Sequence, residues 1–484
     1  MKIRISYPPI ESDKGVPLLG QNRQFQWFSE PTYIYPMVPA YAATVLKQAG
    51  YEVRWDDAIA EGKRYKDWLG EIRKQRPDLL VIETKTPVVK KHWRIIDDLK
   101  AACPETKVVL MGDHVTALPE ESFEQCKVDF VLTGGDYDFL LLNLARYLEG
   151  NEPLEPGIWY RADGAIKNTG PFVLKHDLNT LPFIDRELTR WDLYNRLNGN
   201  YKTFPGTYTM VGRDCWWHRC TFCSWTTLFP AYRTGTPERL VEEIGMLIEQ
   251  VGVKEVFDDT GTFPAGAWIR KFSKLMIEAG YHKRVRLGCN MRFGALNLEE
   301  YRLMRRAGFR MLLFGLESAH QETLERIRKN NTVARIIDSC KKAKQAGLEP
   351  HLTIMFGYPW ETKEQAEKTL ELGKYLLKKG YADTMQATLM VPYPGTPLFE
   401  ECKEKGLLRT LDWDRYDMRE PVMETPLGDE EISEMTQGMY KVAFDPEFVV
   451  RKILRLRSKE DVKFLFRAAK KVAGHLRDFG LHSK

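Results

Sequence analysis

Between residues 1 and 150, short apolar runs alternate with longer segments of mixed polarity. KIRISY (2–7), EVRWDD (52–57), DLLVIET (78–84), KVVLMGD (107–113) and DFVLTGG (129–135) have strand length, and most end in glycine, proline or other polar positions. The stretch 38–49 reads as a helix stopped by Gly50, and 91–102 has the length of another. Strands alternating with helices predict a parallel, doubly wound α/β sheet. Ligands of such sheets lie beyond the carboxyl ends of the strands. Those ends are Pro8-Pro9, Thr84 to Pro87, Gly112 to Thr116 and Gly134 to Asp138.

The pattern changes at 151–205. GIWYRADGAIKNTG (157–170) reads as a hairpin turning at Asp163-Gly164, followed by a connector rich in turn formers and aromatics. From 206 to 404 the β/α alternation resumes, with strands expected in TYTMVG, KEVFDD, RVRLGCN, RMLLFGLE, EPHLTIMFG and TMQATLMV. Six β/α units predict a partial TIM-type (β/α)6 barrel, whose chemistry sits on the loops after the strands. Residues 405–484 read as a helical C-terminal region, basic from Phe448 onward, most simply a solvated face.

Composition narrows the function classes. Apolar residues are 43 % and charged residues 29 % of the 484, and the net charge is only +5. That balance points to no nucleic-acid surface. No apolar run approaches ~18 residues, and MKIRISYPPI does not read as a signal peptide. A cytoplasmic location is the default expectation, without membrane association. The eight cysteines are too sparse for a disulfide scaffold.

Three of those cysteines cluster in RDCWWHRCTFCSW (213–225), directly after the first barrel strand: Cys215, Cys220 and Cys223. Thiolates are the natural ligands of iron–sulfur clusters. Three protein ligands would leave one iron of a [4Fe-4S] cluster open to a cofactor. Zinc is the plainer alternative, with His218 as a fourth ligand, but the spacing is unlike the common paired knuckles.

This segment resembles the radical S-adenosylmethionine (SAM) signature, with Phe222 as the aromatic residue before the last cysteine. The family spacing is Cys-x3-Cys-x2-Cys; here one residue is added within 216–219. Further matches follow in order. Gly315-Leu316-Glu317-Ser318 resembles a SAM-contacting GxES segment. FGYPWET (356–362), with Gly357 and Pro359, resembles the turn near the adenine. VPYPGTPLFEECKEKGLL (391–408) resembles the segment after the sixth strand. In the first 150 residues, YPMVPAYAATVLKQAGYEV, RPDLLVIET, MGDHVTALPEE and DFVLTGGDYDF resemble the subgroup with an N-terminal, Rossmann-like cobalamin-binding domain. The resemblance covers about residues 1–420 and implies [4Fe-4S], SAM and cobalamin as cofactors. The Asp-x-His-x-x-Gly motif of an axial histidine is absent, because Asp113 and His114 are adjacent.

The implied cofactor contacts are Pro8, Pro9, Thr84, Gly112, His114, Thr116, Gly134 and Gly135 in the first domain. In the barrel they are Phe222, Asp258, Asp259, Gly315, Glu317, Ser318, Gly357 and Pro359. Asp258-Asp259 read equally as a solvated or capping pair. Cys289 is a candidate hydrogen-atom donor, although a buried inert thiol is the commoner case. Arg292 is a candidate carboxylate partner or a structural ion pair. Trp216, Trp217 and Trp225 are candidate walls of an apolar substrate cavity, or core.

The implied reaction is reductive cleavage of SAM to a 5′-deoxyadenosyl radical, with cobalamin as methyl carrier to an unactivated carbon of a small-molecule substrate. An external electron donor is required. A radical oxidative cyclase or other non-methylating radical SAM enzyme, and a non-catalytic metal-binding or regulatory protein, are the two other readings.

Overall fold

A computed structural model of the protein describes residues 1–19 and 25–478. The last six residues of the helical C-terminal region expected at 405–484 therefore lie outside the described residues.

The first sheet contains β1 (Lys2–Tyr7), β2 (Glu52–Asp57), β3 (Leu79–Thr84), β4 (Lys107–Gly112), β5 (Phe130–Leu132), β6 (Ile158–Ala162) and β7 (Ala165–Asn168). Its order is β2-β1-β3-β4-β5-β6-β7. The first five are parallel, and β6 and β7 join antiparallel at the edge. LLVI in β3 and VVLM in β4 are fully buried, as strands covered on both faces must be. The order reverses between β1 and β3, the switch point at which doubly wound sheets bind ligands. Asp163 and Gly164 both have positive φ, 54° and 77°, and close the predicted hairpin, which extends the sheet beyond residue 150.

The second sheet contains β8 (Gly206–Thr209), β9 (Glu255–Asp258), β10 (Arg286–Met291), β11 (Phe309–Glu317), β12 (Glu349–Phe356) and β13 (Thr384–Leu389). They pair in chain order, all parallel, as a six-stranded partial barrel. Capping boxes at Asn297 and Thr362 start two of the outer helices. Met210, Trp225 and Phe229 of the barrel half share one apolar core with Val81, Met111 and Tyr137 of the first sheet, so the two halves are packed directly together.

The barrel is open between β8 and β13, and C-terminal helices flank the gap. The 20-residue helix Lys459–Asp478 has a length of about 30 Å, close to the length of β11. Its Arg467 donates to the carbonyls of Tyr201 and Lys202 just before β8, and its His475 stacks on Tyr440. No helix among the described residues is long and apolar enough to cross a membrane.

Candidate active site

The cysteine loop is fixed from four sides. Arg213, just after β8, donates to Asp136 and Asp138, which follow β5 in the other half. Thr221 donates its N–H to the carbonyl of Ile327 at 3.2 Å and accepts from the N–H of Leu398 at 2.9 Å. That second bond gives the PYPGTPL segment a concrete task. Gly261 lets the chain pass the loop, since a Cβ there would stand 2.5 Å from the Asp214 carbonyl. Asp214 and His218 both have positive φ and pair with each other across the loop. The added residue thus lies in a defined bulge.

Cys215, Cys220 and Cys223 all line one cavity of about 900 Å³ that runs through the barrel. The Cys215 sulfur lies 2.9 Å from Thr262 Oγ1. Burial pushes the Cys220 thiol up, opposed by the nearby charges of Lys329 and Arg292. Those two cations suit thiolates and an anionic cluster better than neutral thiols. Among the described residues, no three His, Cys, Asp or Glu side chains converge as ligands of a single metal ion do. Three thiols on one cavity wall beside two cations are a donor set of the chemistry that an iron–sulfur cluster takes.

At the carboxyl end of β11, Glu317 has φ +64° and turns its side chain back over Gly315. Glu317 Oε1 meets Lys329 Nζ at 2.6 Å. A Cβ at residue 315 would stand 2.0 Å from Glu317 Oε1 and 2.5 Å from Lys329 Nζ, so only glycine admits the pair. Gly315, Glu317, Lys329, Phe222, Asp259, Asn290 and Arg292 all face the cavity. Arg292 lies 4.5 Å over the Trp217 ring and donates to the Lys329 carbonyl at 2.5 Å. Ser318 is turned into the wall, where its hydroxyl and that of Thr323 donate to Glu361 Oε1 at 2.7 and 3.1 Å. Burial pushes the Glu361 carboxyl up to about 7, against those hydrogen bonds.

Several expected site residues stand elsewhere. Cys289 is fully buried among core side chains of the barrel, because it alternates with Asn290, which faces inward. Its thiol is pushed up by burial, and it does not line the barrel cavity. Asp258 accepts from Thr209 Oγ1, Val211 N and Thr260 N and ties the strand ends together. Gly357 backs onto Ile432, and neither it nor Pro359 lines the cavity. Trp216 and Trp217 lie beside Arg292, and Trp225 is in the shared core, so none of the three walls the cavity. The solvated C-terminal face is corrected too, since Phe464, Leu465, Arg467, Ala468 and Lys471 line the cavity. Sequence reasoning missed Lys329, Thr262 and Asn290, which lie in no motif. It also missed the Arg213 pairing, whose sign was a lone arginine before the cysteines and two aspartates in GGDYD.

The carboxyl edge of the first sheet is closed. Pro8 and Pro9 are buried. Thr84 Oγ1 bonds His92 at 2.7 Å, and Gly112 passes against the Thr84 carbonyl. Thr116 donates to the Gly112 carbonyl and accepts from Gly134 N. His114 has both ring nitrogens engaged, with Thr86 at 3.2 Å and Glu121 at 3.0 Å, and is no free ligand. Where Cβ atoms of Gly134 and Gly135 would stand, the rings of Phe172 and Phe229 intrude to 2.3 and 2.0 Å. The space left beside Thr84, Asp113, Tyr137 and Trp225 is about 10 Å³. In this conformation the edge does not fit a corrinoid.

Residues 210–373 match the radical SAM superfamily model, so the barrel is a radical SAM domain. An uncharacterised methyltransferase of Pyrococcus horikoshii is 28 % identical over 411 residues, covering 84 % of this chain and 86 % of that protein. An anaerobic magnesium-protoporphyrin IX monomethyl ester cyclase of Cereibacter sphaeroides is 24 % identical over 400 residues, 80 % of this chain and 63 % of the cyclase. Among solved structures, the radical SAM methyltransferase TsrM of Kitasatospora setae, with cobalamin and a [4Fe-4S] cluster bound, superposes with a TM-score of 0.70. It is 15 % identical, and the match covers 98 % of this chain and 99 % of TsrM, which is a likeness of fold.

Proposed function

We propose that this chain is a radical SAM enzyme whose Cys215, Cys220 and Cys223 ligate a [4Fe-4S] cluster. The observation that carries the reading is the single cavity lined by all three cysteines, Gly315 and Glu317. When bound, the cluster and SAM supply one-electron cleavage of SAM and hydrogen abstraction from an unactivated carbon. The chain's own residues then bind and orient. Lys329 and Arg292 stabilise negative charge beside Cys220. Glu317, held over Gly315 by Lys329, offers a carboxylate to an ammonium group. Asn290 and Asp259 offer further polar contacts on the same wall.

Methylation is the outcome we favour, because a relative aligned over 86 % of its length carries that name. Cobalamin is the methyl carrier in this reading only if the carboxyl edge opens, since Phe172 and Phe229 fill it as folded. The cyclase relative keeps a non-methylating outcome as the second reading.

The test is anaerobic reconstitution with iron and sulfide, then SAM and a strong reductant, with and without hydroxocobalamin. 5′-Deoxyadenosine by mass spectrometry supports the radical SAM reading. S-Adenosylhomocysteine formed only with cobalamin supports methyl transfer and an edge that opens. A fully loaded cluster that never cleaves SAM overturns the reading.

A further inference from the structure

Two C-terminal helices, Pro446–Leu454 and Lys459–Asp478, carry an unusual surface. Of the large apolar side chains exposed among the described residues, six fall between 444 and 466. They include Leu454 at 68 % and Phe466 at 74 % exposure. Val450, Ile453 and Leu454 have i, i+3, i+4 spacing, so they share one face of their helix. Val462 and Phe466 share a face of the next helix, and only residues 455–458 separate the two.

Charge is concentrated in the same place. Residues 444–478 contain ten Lys and Arg and five Asp and Glu, a net +5. The whole chain is also +5, so every other residue taken together sums to zero. On the longer helix, Lys459 and Lys463 follow the same i, i+4, i+7 stripe as Phe466, and both are exposed. Apolar side chains flanked by lysine and arginine on amphipathic helices are the physical pattern of an interfacial, anionic-lipid surface. The opposite side of the same helices is committed inward. Phe464, Leu465 and Arg467 line the barrel cavity, and Lys471 donates to the Glu30 and Pro31 carbonyls. The exposed faces are therefore not spare core turned the wrong way, because these helices already have their partner.

We infer that Val450, Ile453, Leu454 and Phe466, with Lys459 and Lys463, form a surface that docks the protein on an anionic lipid bilayer. The expectation of no membrane association rested on net charge and a solvated C-terminal face, which average over the chain what is concentrated in this segment. Docking here would set the helix wall of the cavity against the bilayer. The inference does not depend on the proposed chemistry, and its test reads no catalysis.

The full-length protein is sedimented with vesicles of phosphatidylcholine alone and of phosphatidylcholine mixed with phosphatidylglycerol. Binding is expected on the mixed vesicles, weakened at least about tenfold by raising salt to about 0.5 M. The double variant L454Q/F466Q is expected to lose at least about tenfold in vesicle binding, with an unchanged circular-dichroism melt because both side chains are exposed. Absence of binding to the anionic vesicles, or equal binding by the variant, overturns the inference. So does a vesicle-free dimer, seen by analytical ultracentrifugation, that the same two substitutions dissolve, because the surface would then belong to a second copy of the chain. Should L454Q/F466Q melt lower, K459E/K463E serves instead, and its retained binding is equally fatal.

Discussion

Arg213 and Asp138 form a buried, two-pronged ion pair that joins the cysteine loop to the first sheet. Arg213 Nη1 donates to Asp138 Oδ1 at 2.9 Å and to Asp136 Oδ1 at 2.6 Å, and its other terminal nitrogen meets Asp138 Oδ2. All three side chains are essentially out of solvent. Burial opposes the charge on Asp136, but Arg213, His176 and Arg233 hold it well below the usual carboxylate range. Removing one member of such a set leaves an uncompensated charge and typically costs about 3–5 kcal/mol. D138A is therefore expected to lower the urea-unfolding free energy by about that amount, and D138A/R213M to recover part of it. A loss below about 1 kcal/mol in D138A would mean that water reaches Arg213.

The Gly315 position gives a second expectation. An alanine there places its Cβ against both Glu317 Oε1 and Lys329 Nζ, so the pair must separate. G315A should keep its iron and its brown absorbance, because the cysteine loop makes no contact through that atom. It should weaken SAM binding at least about tenfold, about 1.4 kcal/mol, measured by calorimetry on the reconstituted protein. SAM affinity unchanged from wild type would remove Glu317 from the binding wall.

Much of this architecture was legible in the residues, for reasons that differ by element. The strands of both sheets were readable because parallel strands are nearly continuous apolar runs with polar ends. The hairpin was readable because Asp163-Gly164 can adopt positive φ at both positions. Facing was harder to read. Cys289 and Asn290 are adjacent, and nothing in RVRLGCN says which one points into the barrel. The same holds for Asp258 and Asp259. Lys329 reaches the site from a loop after a short helix, so no motif marks it. The closure of the first sheet's edge comes from Phe172 and Phe229, each far in sequence from the glycines it covers, and such contacts carry no local signature.

The cysteines should separate by role. C215A, C220A and C223A are each expected to lose the cluster's visible absorbance and most of its iron, with SAM cleavage gone. C289A should keep both, because that thiol lies in the core behind β10. It should cost about 1 kcal/mol or less in stability, the usual effect of removing a small buried group with no hydrogen bond. Iron analysis after anaerobic reconstitution decides it. A Cys215 variant that alone retains its iron would show that the added loop residue has displaced that thiolate from the ligand set.

Glu361 makes the wall behind Ser318 sensitive to pH. Its carboxyl is held at about 7 in the folded protein by burial, against 4.5 as the ordinary value. The folded state therefore keeps a proton that the unfolded chain releases, and the stabilisation this gives is fully present below about pH 4.5. It is lost as pH rises toward 7, because the folded carboxyl must then also ionise in a dry site. The span corresponds to at most about 3.5 kcal/mol at about 1.4 kcal/mol per unit. Glutamine cannot ionise but still offers an oxygen to the Ser318 and Thr323 hydroxyls. Compared with wild type, E361Q should be about equally stable at pH 5 and relatively more stable at pH 8. Urea midpoints measured at both pH values check this. A difference between the two proteins that does not grow with pH would mean that Glu361 ionises freely, with its unpartnered Oε2 reached by water.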